Sequence, residues 1–134
     1  MRYLLDTCVL SDFVKGDINT IKQIKSCNPS ELAISALTIM EIEYGILLVP
    51  GKRSVAIKEI ITDFTQSIRV IPLSNEVALE AASIRVNLHK QGQQIGYYDI
   101  LIGATAAFYN LIMVTSNVRE FNRIEKLTVS NWRE

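Results

Sequence analysis

The sequence predicts one α/β domain over residues 1–134, with a mainly parallel central sheet flanked by helices on both faces. Two observations predict this fold class. Short apolar runs alternate with longer stretches of helical periodicity, which is the order typical of a parallel sheet with crossover helices. A length of 134 residues suits one hydrophobic core, and no repeat, low-complexity tract or linker divides the chain.

The apolar runs and the periodic stretches define the elements in order. We predict strands at residues 3–5, 32–34, 68–71, 111–114 and 127–129. We predict helices at about 9–15, 18–26, 37–48, 52–66, 75–90 and 99–108. Glycine and proline residues separate these segments. In sheets of this kind the functional site lies beyond the carboxyl ends of the strands, so the polar residues that follow each strand are the candidates.

Composition excludes several classes of protein. Hydrophobic residues make up 49% and charged residues 21% of the chain, which is typical of a globular domain. No apolar run approaches the ~18 residues of a membrane span, and the N-terminal segment turns acidic too soon for a secretory signal. The two cysteines, Cys8 and Cys27, form neither a disulfide framework nor a zinc motif. We therefore expect a cytoplasmic protein with no membrane association.

The charge balance is neutral, with 14 basic and 14 acidic side chains. Dedicated nucleic-acid binders normally carry an excess of Lys and Arg, so neutrality argues against that class. The objection weakens if several acids share one metal site, because bound cations would cancel their charge.

Asp6 directly follows the first predicted strand, in the segment Leu5-Asp6-Thr7. A carboxylate at the end of an apolar strand is costly to desolvate unless a positive charge meets it, which favours a metal ligand. The alternative is that Asp6 caps the helix that follows.

Glu41 follows the second predicted strand and lies among apolar neighbours, with Gly45 one turn further on. This setting favours a carboxylate that faces the interior of the site. The alternative is a capping box, since Thr38 stands three residues before Glu41.

Two further acids occupy comparable positions late in the chain. Asp99 opens an otherwise apolar, small-residue helix, where it could bind a metal ion or serve as the N-cap. Glu120 follows the fourth predicted strand, where it could join the site or pair on the surface with Arg119 or Arg123. A parallel sheet would bring these acids together with Asp6 and Glu41. Carboxylates at such distances repel, and Mg²⁺ or Mn²⁺ would remove the conflict.

The ordered set of motifs resembles the VapC toxins of the PIN-domain family. The motifs are Leu5-Asp6-Thr7, Ser35-x-x-Thr38-x-x-Glu41-x-x-x-Gly45, Tyr98-Asp99 and Val114-Thr115-x-Asn117-x-Arg119-Glu120-Phe121. The resemblance implies a PIN fold, a Mg²⁺- or Mn²⁺-dependent endoribonuclease of tRNA or ribosomal RNA, a VapB-type antitoxin partner and a homodimer. It implies catalytic and metal-binding roles for Asp6, Glu41, Asp99 and Glu120, with Thr7, Thr115 and Asn117 in support.

Two positions depart from the family pattern. Cys8 stands where the family often has Asn, which would remove a supporting hydrogen bond. Asn117 stands where some PIN proteins have Asp, so the fourth negative charge would come from Glu120.

Basic, aromatic and apolar residues indicate where RNA or a partner protein could bind. Arg85, Lys90, Arg119 and Arg123 are candidates for phosphate contacts, and Tyr97 and Tyr98 for base stacking; the alternatives are a solvated helix face and aromatic packing. The apolar helix around Ile42, Ile46, Leu47 and Leu48 suggests a surface for a partner helix.

Two other functions compete with the ribonuclease. A phosphatase with Asp6 as phosphoacceptor would need a second acid two residues later, where this chain has Cys8. A receiver switch would need an acid pair before the strand that carries the phosphoacceptor, and this chain has none there. A catalytically inactive PIN-like binding module would use the same acids only as helix caps.

Overall fold

The computed structural model describes residues 1–134, which form seven α-helices and five strands. The strands are β1 (Tyr3–Leu5), β2 (Leu32–Ser35), β3 (Arg69–Ile71), β4 (Ile112–Val114) and β5 (Val129–Ser130). The helices are α1 (Thr7–Lys15), α2 (Ile18–Ser26), α3 (Ala36–Leu48), α4 (Lys52–Gln66), α5 (Asn75–Lys90), α6 (Tyr97–Phe108) and α7 (Val118–Phe121). A 3₁₀ turn at Pro29–Glu31 leads into β2.

All five strands are parallel, in the order β3-β2-β1-β4-β5. The central strand β1 pairs with β2 on one side and β4 on the other. The chain reaches β4 from the opposite edge by way of α5 and α6, so the direction of winding reverses between β1 and β4. A crevice at such a reversal is where α/β sheets bind ligands. Asp6 and Thr115 follow the two strands that flank it.

Side chains of the strands alternate between two cores, as the period of a strand requires. Leu4, Ala33 and Met113 pack in the core that α5 and α6 cover. Leu5, Ile34 and Val114 pack in the core on the other face, with α1, α2 and α4. The prediction of a parallel sheet with helices on both faces is therefore confirmed.

The C-terminal residues anchor α1 from outside the sheet. Arg133 donates hydrogen bonds from Nε and an Nη atom to the Asp12 carboxylate, at 2.6 and 2.9 Å. Trp132 is 5% exposed and its ring meets Tyr3 edge-on. The Arg133 bonds hold α1, and the Trp132 ring packs on β1; the first turn of α1 carries part of the candidate site.

Several predicted boundaries were wrong. Helix α1 begins at Thr7 rather than residue 9, and α6 begins at Tyr97 rather than residue 99. The last strand is Val129–Ser130 rather than 127–129, because β5 pairs in register with Met113 and Val114. The four-residue helix α7 was not predicted, since a single turn has no hydrophobic periodicity.

None of the helices has both the length and the apolar character needed to cross a membrane.

Candidate active site

Asp6 lies at the end of β1 and is 7% exposed. It is the N-cap of α1, and its Oδ1 accepts a hydrogen bond from the Thr7 amide at 2.9 Å. Its Oδ2 accepts a second bond, from the Thr115 hydroxyl at 2.8 Å. The capping role is therefore real. Capping involves only Oδ1, whereas Oδ2 is held by Thr115, the residue that follows the neighbouring strand β4.

Glu41 lies in the second turn of α3, and the predicted capping box is wrong. Helix α3 begins at Ala36 with Ser35 as its N-cap, and the Ser35 hydroxyl accepts a bond from the Leu37 amide. Thr38 is fully buried inside the helix, and its hydroxyl has no hydrogen-bond partner. The Glu41 carboxylate instead accepts a bond from the Thr7 hydroxyl at 3.0 Å, which ties α3 to the start of α1.

Asp99 is the third residue of α6, and its interpretation as an N-cap is wrong. The N-cap is Gly96, three residues before the predicted start, with φ −58° and ψ 148°. Asp99 still lies in the first turn, where the helix dipole favours a negative charge.

Glu120 lies in α7 and does not form the predicted alternative ion pair with Arg119 or Arg123. Its carboxylate accepts a bond from the Asn117 side-chain amide at 3.1 Å. Arg123 turns away and donates to the Gln94 carbonyl oxygen.

The four carboxylates, named here the carboxylate cluster, act on one another electrostatically. Burial raises the pKa of Asp99 to about 6, and the negative charges of Asp6, Glu120 and Glu41 add to the increase. A hydrogen bond with Glu120 acts in the same direction. Each charge that raises the pKa of Asp99 comes from one of the other predicted acids. The four carboxylates therefore lie close enough to interact electrostatically.

Comparison with known proteins assigns the family. The model of the PIN-domain family matches residues 3–127. The chain belongs to the PIN-domain family. It is 31% identical over 134 residues to the tRNA(fMet)-specific endonuclease VapC of Salmonella typhimurium, with 98% of each chain covered. It is also 31% identical to the ribonuclease VapC2 of Haemophilus influenzae, again with 98% of each chain covered.

A solved structure of the same family has the same fold. One chain of the VapBC2 structure from Rickettsia felis, bound to a DNA fragment from their promoter, superposes with a TM-score of 0.88. The two chains are 26% identical, and the match covers 98% of this chain and 99% of the other. The resemblance to VapC toxins of the PIN-domain family is confirmed.

A hydrogen-bonded network supports the acids of this PIN domain. The buried Thr115 hydroxyl donates to Asp6 and accepts a bond from the Asn117 amide at 3.0 Å. The Cys8 thiol lies 3.7 Å from Asp6 Oδ2, and its sulfur accepts a bond from the Ser116 amide at 3.4 Å. Cys8 therefore keeps a thiol contact with Asp6, whereas the loss of the hydrogen bond that Asn would make at this position stays a prediction. Sequence reasoning missed the bond between Ser116 and Cys8, which joins the turns after β1 and β4.

The donor set of the PIN domain suits one kind of cation. It consists of carboxylate oxygens, which Mg²⁺ and Mn²⁺ prefer to nitrogen and sulfur. No group of three acidic, cysteine or histidine side chains is close enough to hold one metal ion together. Mg²⁺ keeps several of its waters and commonly binds proteins through one or two carboxylates. A hydrated ion of this kind therefore fits the cluster, and a zinc site built from several protein ligands does not.

Gly103 allows α6 to approach the segment that carries Glu120. A Cβ added at Gly103 would meet the Ile124 side chain at 2.7 Å and the Phe121 ring at 3.6 Å. We expect Gly103→Ala to displace α7 and to lower RNA cleavage about tenfold, since misplacements of up to 1 Å reduce activity by as much as 10²-fold. Cleavage rates and circular dichroism would be compared with those of Gly45→Ala, where a Cβ meets nothing within 4 Å. Equal rates for both variants would contradict the expectation.

Proposed function

We propose that this chain is the toxin of a toxin–antitoxin pair and cleaves RNA as an endonuclease that depends on Mg²⁺ or Mn²⁺. One observation carries the proposal: the pKa of Asp99 is raised to about 6 by burial and by three neighbouring carboxylates. Four mutually repelling acids at the edge of a sheet destabilise the ionised form, and a bound divalent cation would offset that repulsion. Perturbed acids in a cleft are a recognised indicator of an active site.

Each residue of the cluster has a role in this proposal. Asp6 and Asp99 would hold the metal ion, and Glu41 and Glu120 would bind it as well, orient a water molecule or accept its proton. A bound Mg²⁺ supplies a water of lowered pKa and offsets charge on the scissile phosphate. The Thr7 hydroxyl orients Glu41, and the Thr115 hydroxyl orients Asp6. The side-chain amide of Asn117 orients Glu120. Such supporting bonds orient metal ligands and tune their basicity.

The proposed substrate is a structured RNA. The Salmonella relative is named for a transfer RNA, so tRNA is the first substrate to test and ribosomal RNA the second. The neutral net charge does not oppose this substrate, because metal ions in the cluster would cancel its negative charge.

The proposed protein partner is a VapB-type antitoxin, as in the Rickettsia complex. A groove of about 450 Å³ between α1, α3 and α4 is lined by Ile42 and Ile46 and also by Thr7 and Glu41. Val49 also lines the groove and is 70% exposed, and Leu47 and Leu48 are exposed at 68% and 63%. An apolar partner segment in this groove would cover exposed hydrophobic surface and lie against two residues of the site. We also propose a homodimer, as the family resemblance implies.

The experiment that tests this function is metal removal. The purified chain, freed of antitoxin, is incubated with total cellular RNA in Mg²⁺, in Mn²⁺ or in EDTA. We expect discrete products with either metal and none in EDTA, and restored cleavage when Mg²⁺ is returned in excess. Sequencing the product ends would then identify the RNA and the bond.

The alternative function is an inactive PIN-like binding module, which the capping bond of Asp6 favours. Intact RNA under all three conditions, from a protein that is folded by circular dichroism, would support that alternative.

A further inference from the structure

A cavity of about 260 Å³ lies beside the carboxylate cluster, between the end of α5 and the loop of residues 91–96. We name it the Tyr97 cavity. Its polar and aromatic lining residues are Arg85, His89, Gln93, Gln94 and Tyr97, and Gly96 lies at its border. Its size falls just below the ~300–1,000 Å³ typical of pockets for drug-sized ligands, so it suits one nucleobase.

The cavity adjoins the cluster at Gly96. A Cβ at this position would lie 3.8 Å from Asp99 Oδ2, so Gly96 borders both the cavity and the carboxylate. Because glycine has no side chain, no side chain at position 96 separates the cavity from the Asp99 carboxylate. A nucleotide whose phosphate lies at Asp99 would therefore have its base within reach of the cavity.

The lining has the chemistry of a base-binding site. The Tyr97 ring is 69% exposed, and the Arg85 guanidinium lies 4.8 Å from its centroid. Aromatic rings and arginine planes are the groups on which unpaired bases stack. The side-chain amides of Gln93 and Gln94 can donate to and accept from the edge of a base. No acidic side chain lines the cavity, although the Asp99 carboxylate lies close to Gly96 at its border.

The loop that forms one wall is held by the segment that carries Glu120. Arg123 donates to the Gln94 carbonyl oxygen, and the Gln91 side chain donates to Glu125 at 2.7 Å. These bonds fix the wall of the cavity relative to α7. Preorganised walls reduce the entropy lost on binding.

We propose that the Tyr97 cavity binds the base of a nucleotide next to the scissile phosphate of a single-stranded or looped RNA. The ring of Tyr97 stacks on the base, Arg85 supports the ring from its other side, and the glutamine amides contact the base edge. This inference rests on the proposed ribonuclease function, because it orients the RNA relative to the cluster.

The test compares RNA binding by Tyr97→Leu, Tyr97→Phe and wild type. A short fluorescent single-stranded RNA is titrated with each protein in Ca²⁺, and binding is followed by fluorescence anisotropy. We expect Tyr97→Leu to raise Kd about 5- to 100-fold, the range observed for loss of one base–aromatic stack, and Tyr97→Phe to change it by less than about threefold. Phe108→Leu is the matched control, since Phe108 is an exposed aromatic residue at the other end of α6.

A second measurement locates the RNA independently of these variants. RNA that contains 4-thiouridine is irradiated in complex with wild type, and cross-linked peptides are identified by mass spectrometry. We expect cross-links within residues 85–97. Cross-links confined to other segments would overturn the proposal, as would wild-type affinity of Tyr97→Leu or an equal loss in Phe108→Leu.

Failure of this inference can be distinguished from failure of the proposed function. If wild type cleaves RNA with Mg²⁺ while Tyr97→Leu binds and cleaves RNA normally, only the cavity assignment is wrong. If wild type does not cleave RNA but its binding depends on Tyr97 as described, Tyr97 still stacks on an RNA base, and the nuclease function is wrong together with the position next to a scissile phosphate.

Discussion

Asp99→Asn is expected to abolish RNA cleavage and, at neutral pH, to make the protein more stable. Asparagine keeps the shape of the side chain and removes its charge. Loss of one preorganised electrostatic contact in an active site reduces turnover about 10²- to 10³-fold, and we expect a loss of at least that size. The simultaneous gain in stability would exclude unfolding as the cause.

The sign of the stability change follows from the pKa of Asp99. The pKa is about 6 in the folded chain and about 3.9 in an unfolded one, so the folded state binds the proton more tightly. Above pH 6 the ionised carboxylate therefore destabilises the fold, by roughly 1 to 2 kcal/mol once screening by the water around this partly exposed side chain is taken into account. This destabilisation declines as the pH falls through 6 and is absent near pH 4.

Chemical denaturation in EDTA at pH 8 and at pH 4 measures this difference. We expect Asp99→Asn to exceed wild type in free energy of unfolding at pH 8 and to match it at pH 4. Asp63→Asn is the control, because Asp63 is exposed on α4 and should show neither effect. A variant that is less stable than wild type at pH 8 would contradict the account of the cluster.

Thr115→Val is expected to reduce cleavage by about 10- to 100-fold, the range observed when a group that orients a metal ligand is lost. Thr115 is fully buried, and its hydroxyl joins the Asp6 carboxylate to the Asn117 amide. Valine fills the same volume but leaves the Asp6 carboxylate and the Asn117 backbone amide without their hydrogen bonds to the Thr115 hydroxyl. The unpaired groups should also lower the free energy of unfolding by about 1 to 3 kcal/mol.

Thr115→Ser distinguishes the effect of the hydroxyl from the effect of the methyl group, because serine keeps only the hydroxyl. It keeps the oxygen, so we expect cleavage to recover to within a few-fold of wild type. Rates are measured well below the Tm of each variant and over a range of Mg²⁺ concentrations. Equal rates for the valine and serine variants would show that the hydroxyl does not orient Asp6.

The sheet could be predicted from the sequence because each strand is a short apolar run. Leu4 and Leu5 enter opposite cores, and the same alternation places Met113 and Val114. Positions at the carboxyl ends of strands then follow from parallel pairing, which is why Asp6 was assigned to the site edge. The relative positions of the acids around that edge depend on helix starts, which residue patterns define less well.

Errors in helix starts explain the wrong capping assignments. Ser35 caps α3, yet Thr38 satisfies the same sequence pattern three residues later. Gly96 is the N-cap of α6 although glycine has no side chain that could cap a helix, so the sequence pattern favoured Asp99 as the N-cap. The partner of Glu120 could not be predicted either, because it depends on how Arg123 turns toward the loop before α6.

The pKa of Asp99, measured with and without a divalent cation, tests the central claim most directly. The carboxyl carbon of Asp99 is followed by carbon-13 NMR through a pH titration in EDTA, and again in saturating Mg²⁺. We expect a pKa of about 6 in EDTA, and a fall below 4 in Mg²⁺, because a nearby cation favours the ionised form. An Asp99 pKa that is the same in both titrations would show that the cluster does not bind Mg²⁺ and would contradict the proposed metal-dependent nuclease.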